Sequence, residues 1–210
     1  MPLNFASLRS YSTILWNYNN WQKRISTDFR TNLSFFPNIF KLISAINDLM
    51  EKFQELRDAA RKKLQLADYI LTMTYPVVKD SRLLLSSVEN LFLAMSYGMG
   101  SILYYDLTFK RIPPFPDNFA SKFGLFRDKC TKRYNIPEEH LKIIRDLREI
   151  IVAHKKSPVE FSRKENFVIC EDDYRPRVIS SNEVKGYIEK AKLFIKDVTT
   201  IVSKDEAIFS

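Results

Sequence analysis

An all-α fold, an up-down bundle of four or five helices with long antiparallel members, is what three features of this 210-residue chain predict. Apolar residues recur at spacings of three and four through several long stretches, the period of a helix that buries one face. Prolines and capping residues stand where those stretches begin and end. Short apolar runs between polar turns, which suggest extended chain, are confined to one excursion before the last helix.

The first helix opens at Pro37. Ile39, Ile43, Ile46, Met50, Phe53, Ala60, Leu64, Ala67 and Leu71 form its main stripe, and Leu42, Leu49, Leu56 and Ile70 add a second row, broken by Lys63. A stripe that wide suits a bundle rather than a bare two-stranded seam. Pro76 lacks an amide donor and disfavours helix at Tyr75, so the helix should stop there. A second long helix is expected from Val77 to Lys110, with Ser81, Leu84, Leu85, Val88, Leu91, Phe92, Met95, Met99, Ile102 and Leu103 inward. Its Met and aromatic stripe reads as core, and Gly98 and Gly100 allow close packing or a slight bend.

The run Ile112-Pro113-Pro114-Phe115-Pro116 cannot continue a helix, and Asp117 is placed to cap a shorter one reaching Arg133. The next helix opens at Asn135-Ile136-Pro137-Glu138-Glu139, with proline and two acids where the macrodipole favours them. It carries Leu141, Ile144, Leu147 and Ile151, and closes with His154, Lys155, Lys156, Ser157 and Pro158. From Val159 to Ser180, the runs Phe167-Val168-Ile169-Cys170 and Val178-Ile179 suggest a small β-hairpin or extended insertion. Ser180 and Glu183 form a capping box for a final helix that buries Val184, Tyr187, Ile188, Ala191, Ile195, Val198 and Val202. The expected organisation is a helical domain over residues 37–205 behind an N-terminal appendage of residues 1–36.

The sequence is 45% hydrophobic and 28% charged, ample for a buried core and unlike a disordered chain. Its net charge of +8 permits contact with RNA or DNA, but basic residues are interleaved with acids and equally describe a solvated surface. Cys130 and Cys170 have neither metal spacing nor a disulfide framework, which points to a reducing, cytoplasmic setting without metal or cofactor. The uncharged stretch from Asn90 to Tyr105 is shorter than the roughly 20 residues of a membrane span, so no membrane role is expected. Residues 1–36 carry Arg9, Lys23, Arg24 and Arg30 against Asp28; they loosely resemble a transit segment, and an irregular appendage or an overextended start explains them equally well.

Arg148-Glu149-Ile150-Ile151-Val152-Ala153-His154 is the one segment that joins a phosphate-binding cation to a titratable imidazole at helical spacing. Arg148 offers a planar fork of donors suited to a phosphodiester, and His154 can move a proton near neutral pH. Together they suffice for metal-free RNA cleavage, in which the ribose 2′-hydroxyl attacks its own phosphate and cations stabilise the developing charge. Six residues rotate a helix by about 600°, leaving the two side chains roughly 120° and about 9 Å apart. The site must therefore be completed by convergence of long side chains, by release of His154 at the helix end, or by a second copy. Arg145 extends a basic face or pairs with Glu149, four residues on. Asp146 reads as solvated, and His140, in the first turn, reads as a surface residue.

The segment Leu147-Arg148-Glu149-Ile150-Ile151-Val152-Ala153-His154-Lys155 resembles the signature of the HEPN superfamily, an arginine followed after four to six residues by histidine. The resemblance covers residues 37–202 and implies a HEPN-like bundle, commonly a homodimer with Arg148 and His154 of both copies lining one cleft. It implies a metal-independent endoribonuclease of toxin or defence type, with Arg148 and His154 catalytic, Arg145, Lys155 and Lys156 guiding RNA, and an antitoxin or nucleotidyltransferase partner. Glu149 stands at a tuning position where Asn, Asp or His is more usual. Lys156 stands where members silenced by nucleotide transfer carry tyrosine, so that form is not supported. The other expectation, from a different class, is a non-catalytic interaction or scaffold protein of the same fold.

Overall fold

The computed structural model describes residues 37–170 and 175–203, with side chains from residue 44 onward. The appendage expected over residues 1–36 lies outside the described residues, as do the side chains of Ile39, Leu42 and Ile43. The chain divides into two units, Leu49–Ile201 and a second of which only residues 37–48 and 202–203 are described. In the second unit, the described residues 37–48 and 202–203 are helical. Everything below concerns the first unit.

Helices dominate, with one small sheet. Helix α1 (Pro37–Tyr69) passes through a π-helical turn (Ile70–Thr74) into α2 (Tyr75–Val78), and α3 follows (Arg82–Thr108). Pro76 does not stop the helix where the sequence suggested. The π turn resets the hydrogen-bond register just ahead of it, so Pro76 falls in the first turn of α2, where its missing amide costs nothing. The chain breaks at Lys79 instead, whose φ of 54° is left-handed.

The α1 stripe buries Phe53, Ala60, Leu64, Ala67 and Leu71 as expected. Two buried serines of α3 tie it to α1: Ser87 Oγ donates to the carbonyl of Ala67, and Ser101 Oγ to that of Phe53, each at 2.8–2.9 Å. Since the α3 residue number rises as the α1 number falls, the two helices run antiparallel. Each hydroxyl thereby satisfies its donor inside an apolar layer. Gly98 has a packing reason: a Cβ there would lie 2.9 Å from Ile195 Cδ1 and from Phe194 Cε1. Gly98→Val is therefore expected to cost about 1–3 kcal/mol through overpacking, read as a lower denaturant midpoint at unchanged slope.

After α3 the proline loop leads to α4 (Phe119–Leu125), a second π-helical turn (Phe126–Cys130) and α5 (Thr131–Tyr134). The cap of α4 is Asn118 rather than Asp117; its side chain accepts from the Ser121 amide at 2.9 Å. Asp117 instead pairs with Lys122. Asn135, with φ 51°, turns the chain into α6 (Glu138–Lys156), which opens after Pro137 with two acids in its first turn.

The excursion is larger than a hairpin. Strands β1 (Val159–Arg163), β2 (Asn166–Cys170) and β3 (Pro176–Ile179) form an antiparallel sheet in the order β1-β2-β3. Helix α7 (Ser181–Ser203) closes the described chain. Ser180 Oγ accepts from the Glu183 amide at 3.2 Å, half of the expected capping box, while the Glu183 carboxylate is taken up by Tyr187 and Arg177. Val184, Ile188, Ala191, Phe194, Ile195 and Val198 are buried, and Tyr187 is half-buried. Among the described residues no helix is long and apolar enough to cross a membrane.

Candidate functional site

Seven residues of α6 are buried: His140, Leu141, Ile143, Ile144, Leu147, Ile150 and Ile151. That leaves Arg145, Arg148, Glu149, Lys155 and Lys156 exposed and His154 half-buried. His140 is not the surface residue its first-turn position suggested. It is 4% exposed, its ring lies 5.4 Å from that of Phe194, and Nε2 is 3.4 Å from Asp197 Oδ2. Packing of α7 over the start of α6 buries it, which the local sequence does not encode.

The Arg148 guanidinium lies over the Phe119 ring, 4.6 Å from its centroid. Phe119 in turn contacts Phe92 of α3 and stacks on Phe123, with ring centroids 5.5 and 5.7 Å away. The ring orients the guanidinium plane. Among the described residues no carboxylate pairs with it, so its donors remain available.

His154 is held by hydrogen bonding. Its Nδ1 is 2.7 Å from Glu160 Oε1, and its Nε2 is 3.9 Å from Glu89 Oε1. Strand alternation explains the first contact. Glu160 and Ser162 share the face of β1 that meets the helices, while Val159 and Phe161 point out and are exposed. Ser162 Oγ anchors that face to α3 through Ser81 Oγ at 2.6 Å. At the turn between α6 and β1, Ser157 Oγ bonds the carbonyls of Val159 and Cys170. A carboxylate on Nδ1 assigns the ring proton there and leaves Nε2 as the nitrogen without a firm hydrogen bond.

Arg148 and His154 both have neighbours that touch α3, by different routes. His154 meets Glu89, and Arg148 meets Phe119, which packs against Phe92 one turn further along α3. The arrangement offers a cation with open donors, an oriented imidazole and a nearby second carboxylate. Lys155 and Lys156 follow at the end of α6, and Glu149 beside Arg148 is exposed.

Arg145 is not part of this flank. It lines a groove of about 370 Å³ between α6 and α7 with Asp146, Lys142, Tyr187 and Lys190. Burial, with Glu183 beside it, pushes the Tyr187 phenol up to about 12, so it serves as a donor. No ion pair joins Arg145 to Glu149 among the described residues. Nor is any group of three or more His, Cys, Asp or Glu side chains among them placed to hold a metal ion.

Glu160, Glu89 and Phe119 did not stand out in the sequence. Glu160 left a weak signal, an acid six residues beyond His154 across a Ser-Pro turn; Glu89 and Phe119 reach the site only through packing. The chain matches no protein-family model, no curated protein and no solved structure.

Proposed function

We propose that this protein is a metal-independent endoribonuclease of the HEPN kind, in which Arg148 binds the scissile phosphate and His154 transfers a proton. One observation carries the reading: α6 presents a guanidinium that no carboxylate pairs with among the described residues, and a part-exposed imidazole held at Nδ1 by Glu160. Arg148 takes two phosphate oxygens with parallel N–H donors. His154 presents Nε2 to the reacting ribose and phosphate oxygens. Lys155 and Lys156 guide the strand, and the net charge of +8 favours a polyanion. A second copy approaches over the small Ala153, as the resemblance to HEPN dimers implies. The products are a 2′,3′-cyclic phosphate and a 5′-hydroxyl.

The non-catalytic reading draws on a different observation. With Glu160 at 2.7 Å and Glu89 at 3.9 Å, His154 can serve as a staple joining α6, β1 and α3. Cleavage of RNA in the presence of EDTA separates the two. The wild-type chain should release cyclic phosphate, and Arg148→Ala should lower kcat/KM by about 10²–10³-fold, the typical loss when a transition-state donor is removed. Arg148→Lys should recover only part, because an ammonium has no fork. If wild type leaves RNA intact, or Arg148→Ala cuts as fast, the staple reading stands.

A further inference from the structure

Cyclising cleavage of RNA needs two proton transfers: one group removes the proton of the 2′-hydroxyl, and another supplies a proton to the departing 5′-oxygen. The motif on α6 provides only one such group, and α3 supplies the second. Glu89 Oε1 lies 3.9 Å from His154 Nε2, beyond a firm hydrogen bond, so the two groups do not spend their protons on each other. The Glu89 side chain is 46% exposed, and among the described residues its carboxylate has no other ion pair or hydrogen bond. Glu160 already occupies Nδ1, so the proton His154 can release is the one on Nε2.

We infer that Glu89 is the general base and His154 the general acid, a proton-transfer pair contained in one chain, an inference that rests on the ribonuclease reading above. The step begins with Glu89 ionised and His154 carrying a proton on each ring nitrogen. Glu89 takes the 2′-hydroxyl proton as the 2′-oxygen forms its bond to phosphorus. The bond from phosphorus to the 5′-oxygen breaks, and that oxygen leaves with the Nε2 proton. Glu89 ends as the neutral acid and His154 as the neutral ring, still donating Nδ1–H to Glu160. Passage of the proton from Glu89 back to Nε2, directly or through water, resets the pair.

The attacking and leaving oxygens stand in line across phosphorus. A base and an acid 3.9 Å apart can straddle the reacting phosphate, each beside one of these two oxygens. The charged groups around the imidazole are Glu160 from β1, Glu89 from α3, and Lys155 and Lys156 from α6 itself. Glu160 is a positioning residue; Glu89 and His154 are the catalytic ones. Base and acid come from one polypeptide, so their juxtaposition does not depend on the second copy.

The experiment uses the full chain on a short single-stranded RNA in EDTA, with Glu89→Gln as the near-isosteric variant. Its kcat is expected to fall by about 10²–10⁴-fold. RNA affinity should hold or tighten, because a negative charge near the phosphate has gone. Thermal unfolding should be near that of wild type, since the side chain is half exposed. A mixture of Glu89→Gln and His154→Ala chains should stay inactive. Wild-type kcat in Glu89→Gln, with His154→Ala inactive, would remove Glu89 as the base and leave the ribonuclease reading standing. Recovery of activity on mixing would show a site shared between chains and overturn the one-chain assignment. Intact RNA with wild type, or full activity in His154→Ala, would end both.

Discussion

His154→Ala is expected to lower RNA cleavage by about 10²–10⁴-fold, the usual contribution of a placed proton donor or acceptor, while the protein stays folded. The structural cost is limited because the side chain is 31% exposed and loses one firm hydrogen bond, to Glu160. A bond of that kind contributes about 1–3 kcal/mol when one partner is charged, with the orphaned carboxylate free to turn to water. The turn from α6 into β1 also retains its backbone and Ser157 bonds. Cleavage rate and thermal unfolding should be measured on the same preparation. A staple predicts a lower melting temperature with no change in RNA cleavage, whereas a catalytic imidazole predicts a lost rate with at most the modest fall in melting temperature that the Glu160 bond accounts for. An unchanged rate would leave the motif without a chemical role.

Much of the fold was legible because burial follows period. The stripe from Phe53 in α1 to Leu71 in the π turn, the α3 face from Leu84 to Leu103 apart from half-buried Phe92, and the α7 face from Val184 to Val198 apart from half-buried Tyr187 are buried where spacing alone put them. Local backbone chemistry was read less well. Pro76 looked like a stop, yet a π turn just before it changes which amide is needed, and apolar periodicity does not reveal that. Asp117 and Asn118 are both good caps, and the choice between them turned on Asp117 pairing with Lys122.

The candidate site was legible only along α6. Arg148 and His154 could be named because motif and helix share one stretch of chain. Their supporting groups could not, because Glu89 stands 65 positions before His154 in the sequence and meets it only when α3 packs on α6. His140 shows the opposite failure: a polar residue in a first turn looked exposed, and α7 covered it. Titratable side chains follow tertiary neighbours more than local pattern, so a single helix can suggest a chemistry without showing the groups that packing sets beside it.

The largest effect on stability is expected away from the motif, at the end of α3. Asp106 is fully buried, and its carboxylate accepts from Arg133 Nη1 and Tyr134 OH, each at 2.5 Å, with Arg111 Nη1 at 3.6 Å and Cys130 Sγ at 3.5 Å. Arg133 also donates to the carbonyl of Arg111. The cluster ties α3 to α5 and to the start of the proline loop, and so holds α4, with Phe119, in place. Burial, reinforced by Asp106, holds the Tyr134 phenol and the Cys130 thiol well above their usual range, so both act as donors to the carboxylate. Arg133→Ala should be costlier than Asp106→Asn. The first removes the closest cation from a fully buried carboxylate and leaves it the Tyr134 hydroxyl and the more distant Arg111, at about 3–5 kcal/mol. The second keeps the shape and leaves two arginines, each with a side chain 35% exposed, that can turn to solvent, at about 1–3 kcal/mol for the weakened hydrogen bonds. Denaturant unfolding at constant slope measures both, and for a chain of this size each kcal/mol lowers Tm by about 2–4 °C. Equal costs for the two variants would mean that water reaches Asp106 and that the cluster is a surface network rather than a buried tie.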